Sequence, residues 1–307
     1  MEIHPEVFDT VFPKLVDAWV NQRGVFETGV YLPQNEIYDL GLDNVALDNA
    51  LFYLSIATLH GKSSDLIYQE VAKSIIQDPE NLKLFETQYI ASYLEDDFAD
   101  KLLASGIHRQ NEIADRWKAT AGYLNSLGII RPSELILQSG SITQFLKDHS
   151  LKQNEKRGTG IKGISGKTGS LYVVFCQEQG WLKSIKNAFP VDVWISRILI
   201  QIGAIKGIGY WEVDEMELHL REILCEYYNE KGIYVSHLNG ALWRLGATLC
   251  TKAPTCYQDL CPIPDDCLSI IRGITEGKPG KRGVDFDLLY NEDGKSRFKP
   301  VYRQFEI

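Results

Sequence analysis

Apolar residues recur at helical spacing along most of this chain, and alternating β-branched runs are scarce. The stretch FDTVFPKLVDAWVNQR predicts an early helix with Pro13 in its first turn. GVFETGVYLPQNEIYDLGLDN reads as an extended loop. From Asp43 a helical series begins. VALDNALFYLSIATL has a broad apolar face and is interrupted by GKSS. DLIYQEVAKSIIQ is amphipathic and stops before DPEN. LKLFETQYIASYLEDDFADKLLAS reads as one long helix or two short ones. RQNEIADRWKATAGYLNSLG predicts a helix with Gly128 just past its end, and RPSELILQSGSITQFLKDHS adds one or two more. Further on, DVWISRILIQIGA, EVDEMELHLREILCEYYNEKG and SHLNGALWRLGATLC each read as a helix. Towards the end, NEDG between two β-prone runs suggests a hairpin. The predicted class is all-α.

Charge changes this picture locally. The 307 residues carry a net charge of −9, which on its own argues against a nucleic-acid partner. Residues 145–210, however, hold ten Lys/Arg against four Asp/Glu, and residues 1–144 hold ten against twenty-one. A basic patch on an acidic body can still meet phosphate, because phosphates respond to the local field. Ordinary solvated loop charges would give the same count. No apolar run reaches the ~20 residues of a membrane span, and MEIHPEVFDTVFPK has no basic n-region or apolar h-region. The expected setting is the cytoplasm, in association with the nucleoid.

Within the basic stretch lies GTGIKGISGKTGSLYVVF, residues 158–175. Its GKT invites a nucleotide-binding loop, but G-x-x-x-x-G-K-[ST] needs glycine at 161, where the chain has Ile161. A tight turn on Gly163 and Gly166, followed by a helix starting near Lys167 or Thr168, suits a phosphate better. The glycines let backbone approach closely, and the helix start presents amide N–H groups. Asp192 follows 25 residues after Lys167, just before an apolar helix. Taken singly, Lys167 also reads as a solvated lysine and Asp192 as a helix N-cap.

IKGISGKTGSLYVVF resembles the hairpin of the HhH-GPD DNA glycosylases, the endonuclease III and 8-oxoguanine glycosylase superfamily, whose pattern is L-P-G-V-G-x-K-T-A. FPVDVWISRI is similar to that family's P-V-D-x-x-x-x-R segment, with Asp192 on the catalytic aspartate and Arg197 on the basic position. SGIHRQNEIADRWKATAGYL resembles the stretch before the hairpin. Two departures stand out: Ser165 where the second glycine usually is, and a longer Lys–Asp interval. The resemblance implies a helix–hairpin–helix fold of two helical domains flanking a cleft. A barrel would span 45–188, and a second domain would join 1–44 with 189–270. Residues 271–307 would form an extension with the possible β-hairpin.

It further implies a DNA glycosylase with AP lyase activity on flipped bases of double-stranded DNA, expected as a monomer with no membrane partner. Lys167 would be the Schiff-base nucleophile, and Asp192 the carboxylate that stabilises the cationic sugar. Lys162, Gly163, Ser165, Gly166 and Thr168 would contact DNA. So would His60 and Lys62, in the loop that fills the gap left by the flipped base. A non-catalytic DNA-binding relative and a monofunctional glycosylase remain open. Cys250, Cys256, Cys261 and Cys267 are spaced C-x5-C-x4-C-x5-C, against C-x6-C-x2-C-x5-C in many members. Four thiols so close suit a metal rather than disulfides, and the resemblance implies a 4Fe–4S cluster ahead of zinc. Cys176 and Cys225 read as buried apolar residues.

Overall fold

In a computed structural model the chain is mostly helical. The structure describes residues 2–27, 31–57, 64–107, 110–154, 158–206, 211–250, 260–267, 284–290 and 296–302. In chain order the helices are α1 (Glu6–Val20), α2 (Asn35–Tyr38), α3 (Asn44–Ala57), α4 (Ser64–Gln77), α5 (Thr87–Ser92), α6 (Glu95–Ala104) and α7 (Gln110–Ser126). They continue with α8 (Ser133–Ser139), α9 (Ile142–His149), α10 (Gly166–Glu178), α11 (Val193–Gln201), α12 (Val213–Lys231) and α13 (Val235–Thr248). The strands are β1 (Glu2–Ile3), β2 (Ile205–Lys206), β3 (Trp211–Glu212), β4 (Val284–Tyr290) and β5 (Ser296–Tyr302). Among the described residues no helix is long and apolar enough to cross a membrane. Contacts divide the chain into residues 31–190 and a second unit of 1–30 with 191–307.

The 31–190 unit is built around α3. Every residue from Leu47 to Ala57 is buried, including the polar Asp48, Asn49 and Ser55. Trp117 of α7 is fully buried and donates its indole N–H to the Tyr53 carbonyl at 2.8 Å. Rings of Phe85, Tyr53 and Phe98 stand 5.2, 5.5 and 6.3 Å from it. A buried carboxylate, Asp48, cross-links the helices. Its Oδ2 accepts from Ser133 Oγ at 2.5 Å and Arg131 Nε at 3.1 Å, and its Oδ1 from the Tyr172 hydroxyl of α10. The Arg131 guanidinium lies 5.1 Å over the Trp181 ring. Residues 31–44, expected with the second domain, belong here, because Ile37 of α2 is fully buried in this core.

Residues 82–105, expected as one long helix or two short ones, form two short helices, α5 and α6, behind a 3-10 segment (Pro79–Phe85). Asp78 caps the first piece, its side chain accepting from Glu80 N at 3.1 Å ahead of Pro79. Lys118 of α7 ends α5. Its ammonium donates to the carbonyls of Ile90 (2.9 Å), Ala91 (3.2 Å) and Tyr93. Burial lowers the Lys118 pKa.

In the second unit, α1 lays Phe8, Phe12, Leu15 and Trp19 against its neighbours. Phe8 and Phe12 stack at 4.5 Å, and Tyr227 of α12 meets both edge-on at 5.5 and 5.3 Å. Pro13, expected in the first turn of α1, sits inside the helix, which begins at Glu6 behind Pro5. α13 receives its neighbours at two glycines. A Cβ on Gly240 would lie 2.7 Å from the Trp19 ring, and one on Gly246 2.7 Å from Trp194 Cβ. Gly240→Ala is therefore expected to cost about 1–3 kcal/mol through overpacking, measured as a lowered urea midpoint at unchanged slope.

β-structure, absent from the all-α expectation apart from the possible hairpin, is present in two small sheets. β1 pairs antiparallel with β2, Ile3 opposite Ile205. The other sheet has the order β3-β5-β4, with Leu288 opposite Phe298 and Trp211 also opposite Phe298. β4 and β5, expected as part of a separate extension, thus join the 1–30 and 191–307 unit through β3.

Candidate functional site

The loop from α9 to α10 is shaped by glycine at three places. Gly158, Gly160 and Gly163 have φ of 64°, 148° and 86°, values that side-chain-bearing residues rarely adopt. At Gly160 the reason is also steric. A Cβ there would lie 2.6 Å from Leu151 N and 2.9 Å from the His149 carbonyl oxygen. The close approach lets Ile161 N donate to His149 O at 2.7 Å, and Leu151 N to Ile161 O at 3.1 Å. His149 is fixed in turn by a 2.8 Å hydrogen bond between its Nδ1 and the Tyr123 hydroxyl, and burial lowers its pKa. Gly160→Ala should destabilise the fold by about 1–3 kcal/mol, seen as a lower melting temperature.

The turn then enters α10 through a capping box. Ser165 Oγ accepts from Thr168 N at 3.3 Å, and Thr168 Oγ1 accepts from Ser165 N at 2.8 Å. The serine in the glycine position thus has a local use: it starts the helix from an extended φ of −142°. Gly166, expected within the turn, is the first residue of α10, so the helix begins one residue earlier than Lys167. Lys167 is its second residue and is half-buried.

Helix α7 clasps the turn from behind. The Lys162 N–H donates to Thr120 Oγ1 at 3.1 Å. The Lys162 ammonium pairs with Asp115 Oδ1 at 2.5 Å. Gly163 lies against Arg116; a Cβ on it would be 3.0 Å from Arg116 Cδ and 3.3 Å from the Ile56 carbonyl oxygen. That same carbonyl, in the last turn of α3, accepts from Arg116 Nη1 at 3.0 Å. Asp115, Arg116 and Thr120 were not foreseen from the sequence. They lie more than forty residues before the turn, in the stretch SGIHRQNEIADRWKATAGYL singled out above, but nothing in that stretch marks these three for contact with the turn.

Asp192 belongs to the other unit. It is 7% exposed and caps α11, with Oδ1 accepting from Trp194 N at 2.9 Å and Ile195 N at 3.0 Å. The buried run Phe189, Pro190 and Val191 leads into it. His60 and Lys62 lie outside the described residues, as does Cys256.

Of the remaining cysteines of the cluster stretch, Cys250 and Cys261 are half-buried and Cys267 is buried. Cys250 N closes the end of α13 by donating to Leu245 O at 2.9 Å. The loop carrying Cys261 and Cys267 is held on α1 and the turn after it. Lys14 pairs with Asp266 at 2.6 Å, and a Cβ on Gly24 would lie 2.6 Å from the Leu260 carbonyl oxygen. A cleft of about 400 Å³ there is lined by Lys14, Asp17, Arg23, Gly24 and Cys261, among others. The donor chemistry of four thiols suits an iron–sulfur cluster or zinc. Among the described residues, no three His, Cys, Asp or Glu side chains converge as a metal set. Cys176 and Cys225 are buried away from solvent, and burial pushes the Cys176 thiol well up.

No protein-family model matches the chain, and no curated protein matches it.

Proposed function

We propose that the chain is a DNA glycosylase with AP lyase activity, built on the helix–hairpin–helix fold and acting on a flipped base of double-stranded DNA in the cytoplasm. One observation carries this reading: the turn at Gly163 delivers the backbone into a capped helix start with Lys167 at its second position. Amides at a helix start favour an anion, and a phosphate held there positions the duplex without reading its sequence. Lys162, Gly163, Ser165, Gly166 and Thr168 supply that contact, and His60 and Lys62 fill the vacated stack.

Lys167 and Asp192 act on the same sugar. As the C–N bond to the base breaks, its electron pair leaves with the base, and positive charge develops at the anomeric carbon. The Asp192 carboxylate stabilises that charge. The neutral Lys167 amine attacks the same carbon, loses its proton and forms a Schiff base with the opened sugar. Elimination then breaks the C–O bond to the 3′ phosphate. Cys250, Cys256, Cys261 and Cys267 hold the proposed 4Fe–4S cluster, whose contribution is to stiffen their loop.

A second reading, a DNA-binding relative without catalysis, is favoured by the capping bonds of Asp192, which give that carboxylate a structural use. Borohydride treatment in the presence of an abasic duplex separates the two. A covalent protein–DNA adduct supports the lyase. Retention of the duplex with neither adduct nor base release supports the second reading.

A further inference from the structure

Lys162 stands next to the turn glycine and is paired with a carboxylate of its own chain. Asp115 Oδ1 and Lys162 Nζ are 2.5 Å apart, and both side chains are 39% exposed. The pair is therefore open to solvent and to any anion that reaches the turn. The lysine's backbone is not free to follow a new partner, because its N–H is held by buried Thr120 and the next residue is pinned between Arg116 and the end of α3. Only the side chain can exchange. An oxygen of a carboxylate and one of a phosphate diester occupy an ammonium in the same way, so the two compete for one position.

We propose that Asp115 is an intramolecular stand-in for a DNA phosphate on Lys162, displaced when duplex binds, and that it sets the strength and salt dependence of that binding. This rests on the DNA reading of the hairpin above. In the free protein the lysine is already neutralised, so a new phosphate contact releases one counterion from DNA while the displaced Asp115 takes one cation up. The net ion release from this contact is close to zero. With the carboxylate removed, the full release returns.

The test is fluorescence anisotropy of a labelled duplex carrying a tetrahydrofuran abasic analogue, titrated across about 50–200 mM salt. Asp115→Asn should bind about two- to fivefold tighter at low salt, the range set by an exposed ion pair. Its plot of log affinity against log salt should be steeper by about one unit. Lys162→Gln should bind more weakly than wild type, and in its background Asp115→Asn should change neither affinity nor slope. Asp100→Asn, an exposed carboxylate of α6, controls for net charge alone. If Asp115→Asn matches wild type or Asp100→Asn while wild type binds the duplex, the inference fails and the DNA reading stands. If wild type binds no duplex at the lowest salt, both fail. Persistence of the Asp115→Asn effect in the Lys162→Gln background also overturns the inference.

Discussion

Lys167→Ala should leave no borohydride-trapped adduct on an abasic duplex, against a readily trapped wild type. The substitution keeps a good helix former at the second position of α10, and the Ser165–Thr168 capping box does not involve the lysine side chain. The variant should therefore still unfold cooperatively with α10 in place, and duplex binding should survive through the turn. That combination assigns the loss to chemistry rather than to folding. Asp192→Asn should slow base release by about 10²–10³-fold, the usual cost of removing one group that stabilises developing charge. Asparagine retains an oxygen that can accept from Trp194 and Ile195 N–H, so α11 stays capped. Base release at the wild-type rate in Asp192→Asn would show that this aspartate is a cap and nothing more.

The largest effect on stability is expected at Asp48. Asp48→Ala should cost about 3–5 kcal/mol, measured as the urea unfolding free energy, because it strands the Arg131, Ser133 and Tyr172 donors together. The aspartate has no exposed surface, and Tyr172 is likewise fully buried. The pH dependence carries its own sign. Burial raises the Asp48 pKa above the usual carboxylate value, outweighing the lowering from Ser133, Tyr172 and Arg131. The folded state then holds this proton more tightly than the unfolded one. The contribution is fully present below the unfolded pKa and is lost as pH rises through the folded one. The stability advantage of wild type over Asp48→Asn should accordingly shrink as pH rises from about 4. An advantage that grows with pH would contradict the burial account.

Helix positions were legible wherever one apolar face is continuous. α3, α4, α7, α12 and α13 fall where periodicity places them, because burial of such a face outweighs small differences in propensity. Between one long helix and two short ones across 82–105, local sequence did not decide. The break between α5 and α6 depends on Lys118, which reaches from α7 to take carbonyls that a longer helix would have used. The same limit applies around the hairpin. IKGISGKT announces a turn and a helix start, and Ser165 with Thr168 completes a box that local sequence can encode. Its clasp by Asp115, Arg116 and Thr120 is tertiary, and a single sequence carries no mark of which helix will lie behind a loop. Pro13 shows the opposite error. A rule about helix starts placed it in a first turn, while Pro5 begins α1 and the buried Phe8, Phe12 and Trp19 keep the helix going past it.

The order in which the elements leave the ribosome has a cost that follows from the split unit. Trp19 on α1 finds its seat at Gly240, more than two hundred residues later, and the whole of residues 31–190 is synthesised in between. At roughly 5–20 residues per second, the apolar face of α1 waits on the order of ten to fifty seconds for its partner helix. During that interval the nascent chain presents Phe8, Phe12 and Trp19 to solvent or to a chaperone, while the 31–190 unit, continuous in sequence, can already close.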